Sequence, residues 1–325
     1  MQRTRLAWAA AGACALALSA CGSSKHTSKS TNAAASTGTV TLAISQPIGQ
    51  LLLPFLAQSR GDFTRAGVHV VVKFVPSAEL LPAIASGSVQ LAVSSAPQLD
   101  LTALKAPVKL IGQWAPHADI QFVAAPGVTG VADLRGKTIS ASSPGSASYV
   151  LTRKLLKQGG LSASDVHQAV LASASLLAPA FKHGTIDGST VGPPLTAQFL
   201  SLRPGAKVLA NFSKLSFTGS ELAAYMPWAR AHRAAVKDII TALDRALAQW
   251  RSDPAAAEAV LAQQTGANAA AAKATYRSTL GVFLSRVAPV SLAEERSVLG
   301  IVSSVYQPSA TPSRAGQVIT SAYVH

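Results

Sequence analysis

The polar residues best spaced for chemistry fall in four short clusters built from hydroxyls, amides and backbone N–H groups. They are Ser45-Gln46, Ser94-Ser95, Gln113-Trp114 and the run Ser142 to Ser146, which contains Gly145. Groups of this kind hold a small molecule by hydrogen bonds. In the run Ser142-Ser143-Pro144-Gly145-Ser146 the free N–H groups open a helix, which suits a sulfonate, a carboxylate or a ring acceptor. Simple capping of that helix by one serine is the competing reading. Ordinary turn chemistry competes equally for Ser45, Gln46, Ser94 and Ser95. Trp114 offers either a flat apolar wall with a polar tip or a buried core ring, and Gln113 precedes it at a strand end.

Catalytic and metal signatures do not appear in the sequence. There is no Gly-x-Ser-x-Gly, no His-Glu-x-x-His and no acidic calcium loop. The seven histidines show no metal-like pairing. Gly136-Lys137-Thr138 fails as a phosphate loop, because Val131 stands where a glycine is required and a strand follows the lysine. No catalytic residue, cofactor or metal is therefore expected.

The two cysteines sit near the start. Arg3 and Arg5 precede an apolar segment from Leu6 to Ala17, then Leu18-Ser19-Ala20-Cys21. That order reads as a secretory signal, too short to span a bilayer. Leu-Ser-Ala-Cys resembles the bacterial lipobox, which implies acylation of Cys21 and a mature chain anchored by lipid to the outer face of a membrane. Residues 1–20 are then the signal peptide, and Cys14 is lost with it. Residues 21–38 read as a flexible tether, because after Cys21 they are Ser, Thr, Ala, Lys and Gly with His26 and Asn32 and no large apolar residue. The formal net charge of +14 raises the question of nucleic acid. The positive residues are scattered without aromatic interleaving, so no nucleic-acid partner is expected; the charge suits an anionic ligand or envelope polymers.

About 285 residues remain to fold, enough for one large or two medium lobes. Strands are expected at Val40–Ile44, Val68–Val75, Val89–Val93, Val108–Gly112 and Lys137–Ala141, alternating with helices at Leu51–Ser59, Leu80–Ser86 and Ser146–Gln158. That alternation predicts an α/β fold with parallel sheets. From Ala231 onward the apolar spacing is helical, with Asp253-Pro254 as cap and first-turn proline. A weak repeat appears at an offset of ninety-seven residues: Leu80, Pro82, Ala83, Gly87 and Pro97 recur as Leu177, Pro179, Ala180, Gly184 and Pro194. Two similar lobes would each carry a turn at the carboxyl end of a strand, where ligands of open α/β sheets bind.

Several stretches in order resemble one family. Arg60 to Val70 looks like a glycine-aromatic-glycine element leading into a second strand. Glu79 to Val93 looks like a helix, an Ala-x-Gly turn and a strand. Val131 to Ile139 carries Asp-Leu-x-Gly-Lys, Ser143 to Tyr149 a Gly/Ser turn, and Arg233 to Ala262 a helical tail with Trp250. Together these resemble the substrate-binding proteins of ABC importers in the nitrate, sulfonate and thiamine-precursor (NMT1/THI5-like) group. The resemblance implies a two-lobed periplasmic-binding-protein fold, type II-like, with two crossings. Lobe 1 would hold residues 39–122 and 225–325, lobe 2 residues 123–224. It implies a monomer that closes over a small organic solute and delivers it to a permease in the membrane. A ligand sensor and an enzyme of the pyrimidine-synthase branch are the alternatives. That branch's cysteine-rich stretch is missing here. Gln90 stands where an Asp is usual, and Pro193-Pro194 where an aromatic-x-Pro is common. Asp187 is expected to support its own lobe.

Overall fold

The computed structural model describes residues 38–171 and 173–324. Cys21 and residues 1–37 lie outside them. Ten strands form two five-stranded sheets. The first contains β1 (Val40–Ile44), β2 (Val70–Phe74), β3 (Leu91–Ser94), β4 (Val108–Ala115) and β10 (Ser220–Tyr225), in the order β2-β1-β3-β10-β4. The second contains β5 (Gln121–Ala124), β6 (Thr138–Ala141), β7 (His167–Val170), β8 (Gly188–Val191) and β9 (Lys207–Asn211), in the order β7-β6-β8-β5-β9. In each sheet the first three strands are parallel, and an antiparallel strand arriving from the other lobe sits fourth. Fold class and topology agree with the expectation of two similar α/β lobes.

The ninety-seven-residue offset recurs in three dimensions. β3 and β8 occupy the same place in their sheets, and a cis X–Pro bond follows each, at Ala96-Pro97 and Pro193-Pro194. The offset also explains Gln90. Thr41 N–H donates to Gln90 Oε1 at 3.0 Å, and ninety-seven residues on Thr138 N–H donates to Asp187 Oδ2 at 3.0 Å. An amide oxygen thus does in one lobe what a carboxylate does in the other, tying the first strand to the loop before the third. Asp187 supports its lobe as anticipated.

Helices α1 (Leu53–Ser59), α2 (Asp62–Arg65), α3 (Ser77–Ser86) and α4 (Gln98–Ala103) belong to the first lobe. α5 (Ala147–Gln158), α6 (Ala174–Lys182) and α7 (Leu195–Leu202) belong to the second. The chain then returns for α8 (Met226–Ala231), α9 (Arg233–Ser252), α10 (Pro254–Thr265), α11 (Ala269–Val282) and α12 (Leu292–Val305). α9 buries Val236, Ile239, Ile240, Leu243, Ala246, Leu247 and Trp250, a stripe at three- and four-residue spacing that faces the first core. Asp253 caps α10 by accepting from Ala256 N–H at 3.1 Å, with Pro254 in its first turn. A second core runs from Leu80 and Leu99 through Phe122, Ile139 and Leu151 to Val298 and Leu299, so α12 is packed into both lobes.

The lobe boundaries differ from those the sequence suggested. Gln121 and Phe122 pair with Val191 and Thr190 in the second sheet, while Glu221 to Ala224 pair with β3 in the first. The chain therefore crosses over residues 116–120 and 212–219, before each of the expected points. Pairing decides this, since the apolar runs expected to lie at the crossings are the strands that complete each sheet.

Candidate functional site

The carboxyl ends of β1 and β3 carry three of the expected residues in two adjacent buried networks. Ser45 Oγ donates to Ser94 Oγ at 3.0 Å, and Ser94 Oγ donates to Gln98 Oε1 at 3.1 Å. Ser95 Oγ donates to Gly219 O at 2.7 Å and accepts from Gln50 Nε2 at 3.1 Å. Gln50 itself reaches both crossings: Nε2 donates to Gly219 O at 2.8 Å, and Oε1 accepts from Asp119 N–H at 2.9 Å. Gln46 is half-buried beside these networks, and its carbonyl accepts from Ile48 N–H.

In the second lobe, Ser142 occupies the place that Ser45 holds in the first, directly after the leading strand. Ser146 is the N-cap of α5: its Oγ accepts from Tyr149 N–H at 3.2 Å. Gly145 has φ +82°, which a side chain adopts only with strain. A Cβ there would stand 3.3 Å from Tyr306 and 3.6 Å from Leu101 of α4, so the turn lies against the first lobe at this point. Ser146→Ala should lower stability by about 1 kcal/mol through loss of the cap, measured by thermal melts. If the hydroxyl also holds ligand, affinity falls about tenfold in calorimetry, one neutral hydrogen bond.

Gln113 and Trp114 are not in a strand-end turn. β4 continues through Ala115, because Gln113 exchanges backbone hydrogen bonds with Ala288 and Trp114 O accepts from Leu284 N–H. The Gln113 side chain turns toward the start of α12, donating to Glu294 Oε2 at 2.9 Å. Trp114 is fully buried in the first core, and its Nε1 donates to Gln50 O at 2.9 Å. Both residues therefore leave the expected ligand wall; Trp114 acts on the network from behind.

A cavity of about 400 Å³ opens between α11 of the first lobe and α7, β5 and β9 of the second. None of the nine expected binding residues lines it. A polar chain crosses its wall. Ser278 Oγ donates to Asp119 Oδ2, Gln121 Nε2 donates to Asp119 Oδ1 at 2.7 Å, and Thr196 Oγ1 donates to Gln121 Oε1 at 2.7 Å. No lysine or arginine is among its lining residues, so N–H groups and hydroxyls would have to recognise an anion there. Close by, Ile48 of the first lobe stands 3.5 Å from the Cβ position of Gly192 in the second. The sequence did not single out Gln50, Asp119, Gln121 or Ser278. The pair Asp119-Ile120-Gln121, polar residues within an apolar run, was the available signal.

The family described as NMT1/THI5 like matches residues 50–257, more than half of the chain. A putative aliphatic sulfonates-binding protein of Escherichia coli (strain K12) is 30% identical over 199 residues. That match covers 60% of this chain and 61% of the relative, so the chain spans about three-fifths of the curated protein it matches. The alkanesulfonate-binding protein SsuA from Xanthomonas axonopodis pv. citri, solved bound to MOPS, superposes with a TM-score of 0.69 at 24% identity. It covers 86% of this chain and 97% of that one. The periplasmic nitrate-binding protein NrtA from Synechocystis PCC 6803 superposes with a TM-score of 0.67 at 13% identity, covering 86% and 85%. The two latter likenesses speak to fold, and the family match to descent: the chain belongs to the NMT1/THI5-like family.

Proposed function

We propose that this chain captures a small organic anion between its lobes and delivers it to an ABC importer, from the outer face of a membrane to which Cys21 anchors it. The observation that carries the reading is the pairing of strand-end turns. Ser45, Ser94 and Ser95 end strands in one lobe, and the N-terminus of α5, with Ser142 and Ser146, lies in the other. Twelve aligned residues of α5 direct N–H groups at that turn, which favours a carboxylate or sulfonate. The formal charge of +12 that remains once Arg3 and Arg5 are removed with the signal adds attraction for anions. The similar proteins named for sulfonates and nitrate make sulfonates the first class to try.

Thermal melts with a panel of alkanesulfonates, nitrate, aromatic acids and pyrimidines test this. A true ligand at a hundredfold excess over its Kd stabilises by about 2.7 kcal/mol. Shifts confined to sugars or peptides would overturn the ligand class. For the anchor, Cys21→Ala should abolish labelling by a fatty-acid probe and release the protein from membranes, while Cys14→Ala changes neither. Equal labelling of wild type and the Cys21 variant contradicts the lipid anchor.

A further inference from the structure

Three carboxyls meet inside the molecule: Asp100 on α4, Glu221 on β10 and Glu295 on α12. All three are fully buried, and each offers an oxygen within 4.8 Å of the others. No group outside the cluster donates to any of their six oxygens, and none joins an ion pair among the described residues. The surroundings are apolar, with Leu99, Val298 and Leu299 in the second core. Burial raises all three from the usual carboxylate range, and burial together with the Asp100 charge pushes Glu295 up to about 11. Three bare charges in such a place are untenable, so the cluster must hold protons or a cation.

A fourth side chain bears on the choice. Gln113 stands directly across from Glu221 in the β10–β4 pairing. Its backbone N–H and C=O both go to Ala288 on the opposite side, so 113 and 221 form the non-hydrogen-bonded kind of pair, in which side chains approach most closely. Gln113 Nε2 is used by Pro289 O and Glu294 Oε2, while Oε1 is enclosed without a donor; the side chain is 2% exposed. The six carboxyl oxygens and the enclosed Gln113 Oε1 beside Glu221 thus have no donor outside the cluster itself.

We propose that Asp100, Glu221, Glu295 and Gln113 Oε1 form a binding site for one hard divalent cation of the calcium class. An all-oxygen donor set without nitrogen or sulfur selects such ions. Oxygens bound to one calcium at about 2.3–2.6 Å lie no more than about 5 Å apart, which matches the spread of the three carboxyls. The ion would tie α4 and β10 to α12. The far end of α12 is held by the second lobe, through Arg153 Nε to Val305 O at 2.8 Å and Lys157 Nζ to Ser304 O at 3.0 Å. Glu221 also pairs with Ser94 across β10 and β3, so the site braces the strand end that carries the hydroxyl network.

The test uses the mature chain stripped with a chelator, then given Ca²⁺, Mg²⁺ or Mn²⁺ alone, with metal content and thermal melts as readouts. One bound ion per chain is expected, with Tm raised by roughly 5 °C at a hundredfold excess over Kd and the rise reversed by chelator. The near-isosteric changes Asp100→Asn and Glu295→Gln should each weaken ion binding at least tenfold. If one of them fails to fold, the other carries the comparison. Wild type that neither retains nor binds any of the three ions, with an unchanged Tm, would assign the cluster to shared protons and overturn the site. Undiminished binding in both variants would overturn it equally. The proposal stands independently of the ligand panel above, because neither result alters the other.

Discussion

Trp114→Ala should cost about 3–5 kcal/mol of folding stability, the range for removing a large aromatic side chain from a packed core. The ring is fully buried in the first core, and β4 and the loop at Leu284 fix its backbone, leaving little freedom to refill the space. The change also strips Gln50 O of its indole donor. Trp114→Phe separates the two effects, because it keeps most of the volume and loses the hydrogen bond, for about 1 kcal/mol. Denaturant melts should rank wild type above Trp114→Phe and Trp114→Ala well below both. Ligand affinity in Trp114→Phe should stay within a few-fold of wild type. Lost binding with intact stability would return the indole to the ligand wall.

Gln50→Leu is the second large effect. Leucine fills similar space but answers none of the three hydrogen bonds that the amide makes. Gly219 O keeps Ser95 Oγ, whereas Asp119 N–H loses its acceptor inside the protein. One orphaned buried donor costs about 1–3 kcal/mol. The crossing segments have no slack to compensate: a Cβ on Gly219 would sit 2.4 Å from His117 O. Since Gln50 joins the first lobe to both crossings, ligand affinity should fall at least tenfold along with stability, measured by calorimetry and melts on the same preparation. Unchanged affinity would make Gln50 a local brace with no part in holding the lobes.

The elements that carry buried apolar residues were legible from sequence. β1, β2 and α5 fall within a few residues of their expected spans, and the chain from α9 to α12 is helical as the spacing after Ala231 indicated, because periodicity reports burial directly. β7 and β9 were not read as strands. They lie at the two edges of the second sheet, mostly exposed, and so carry no apolar pattern. β4 ran three residues past its expected end, because its last residues find partners in Ala288 and Leu284, more than 160 residues away. The hydroxyls at strand ends were visible because the strand–turn–helix order places them. Gln50 was hidden within an apparent helix start, and the carboxyl cluster joins residues 100, 221 and 295, which no local window connects.

Closure of the two lobes on ligand would shorten the distance between them. A chain of residues 21–325 with Cys21→Ser contains no thiol. Cysteines introduced at exposed Glu79 in the first lobe and Lys182 in the second would therefore be the only sites for spin labels. Pulsed dipolar spectroscopy should find a broad distance distribution without ligand, and a narrower, shorter one at saturation with a sulfonate or carboxylate that binds. An identical distribution in both states, with binding verified by calorimetry, would contradict capture by closure.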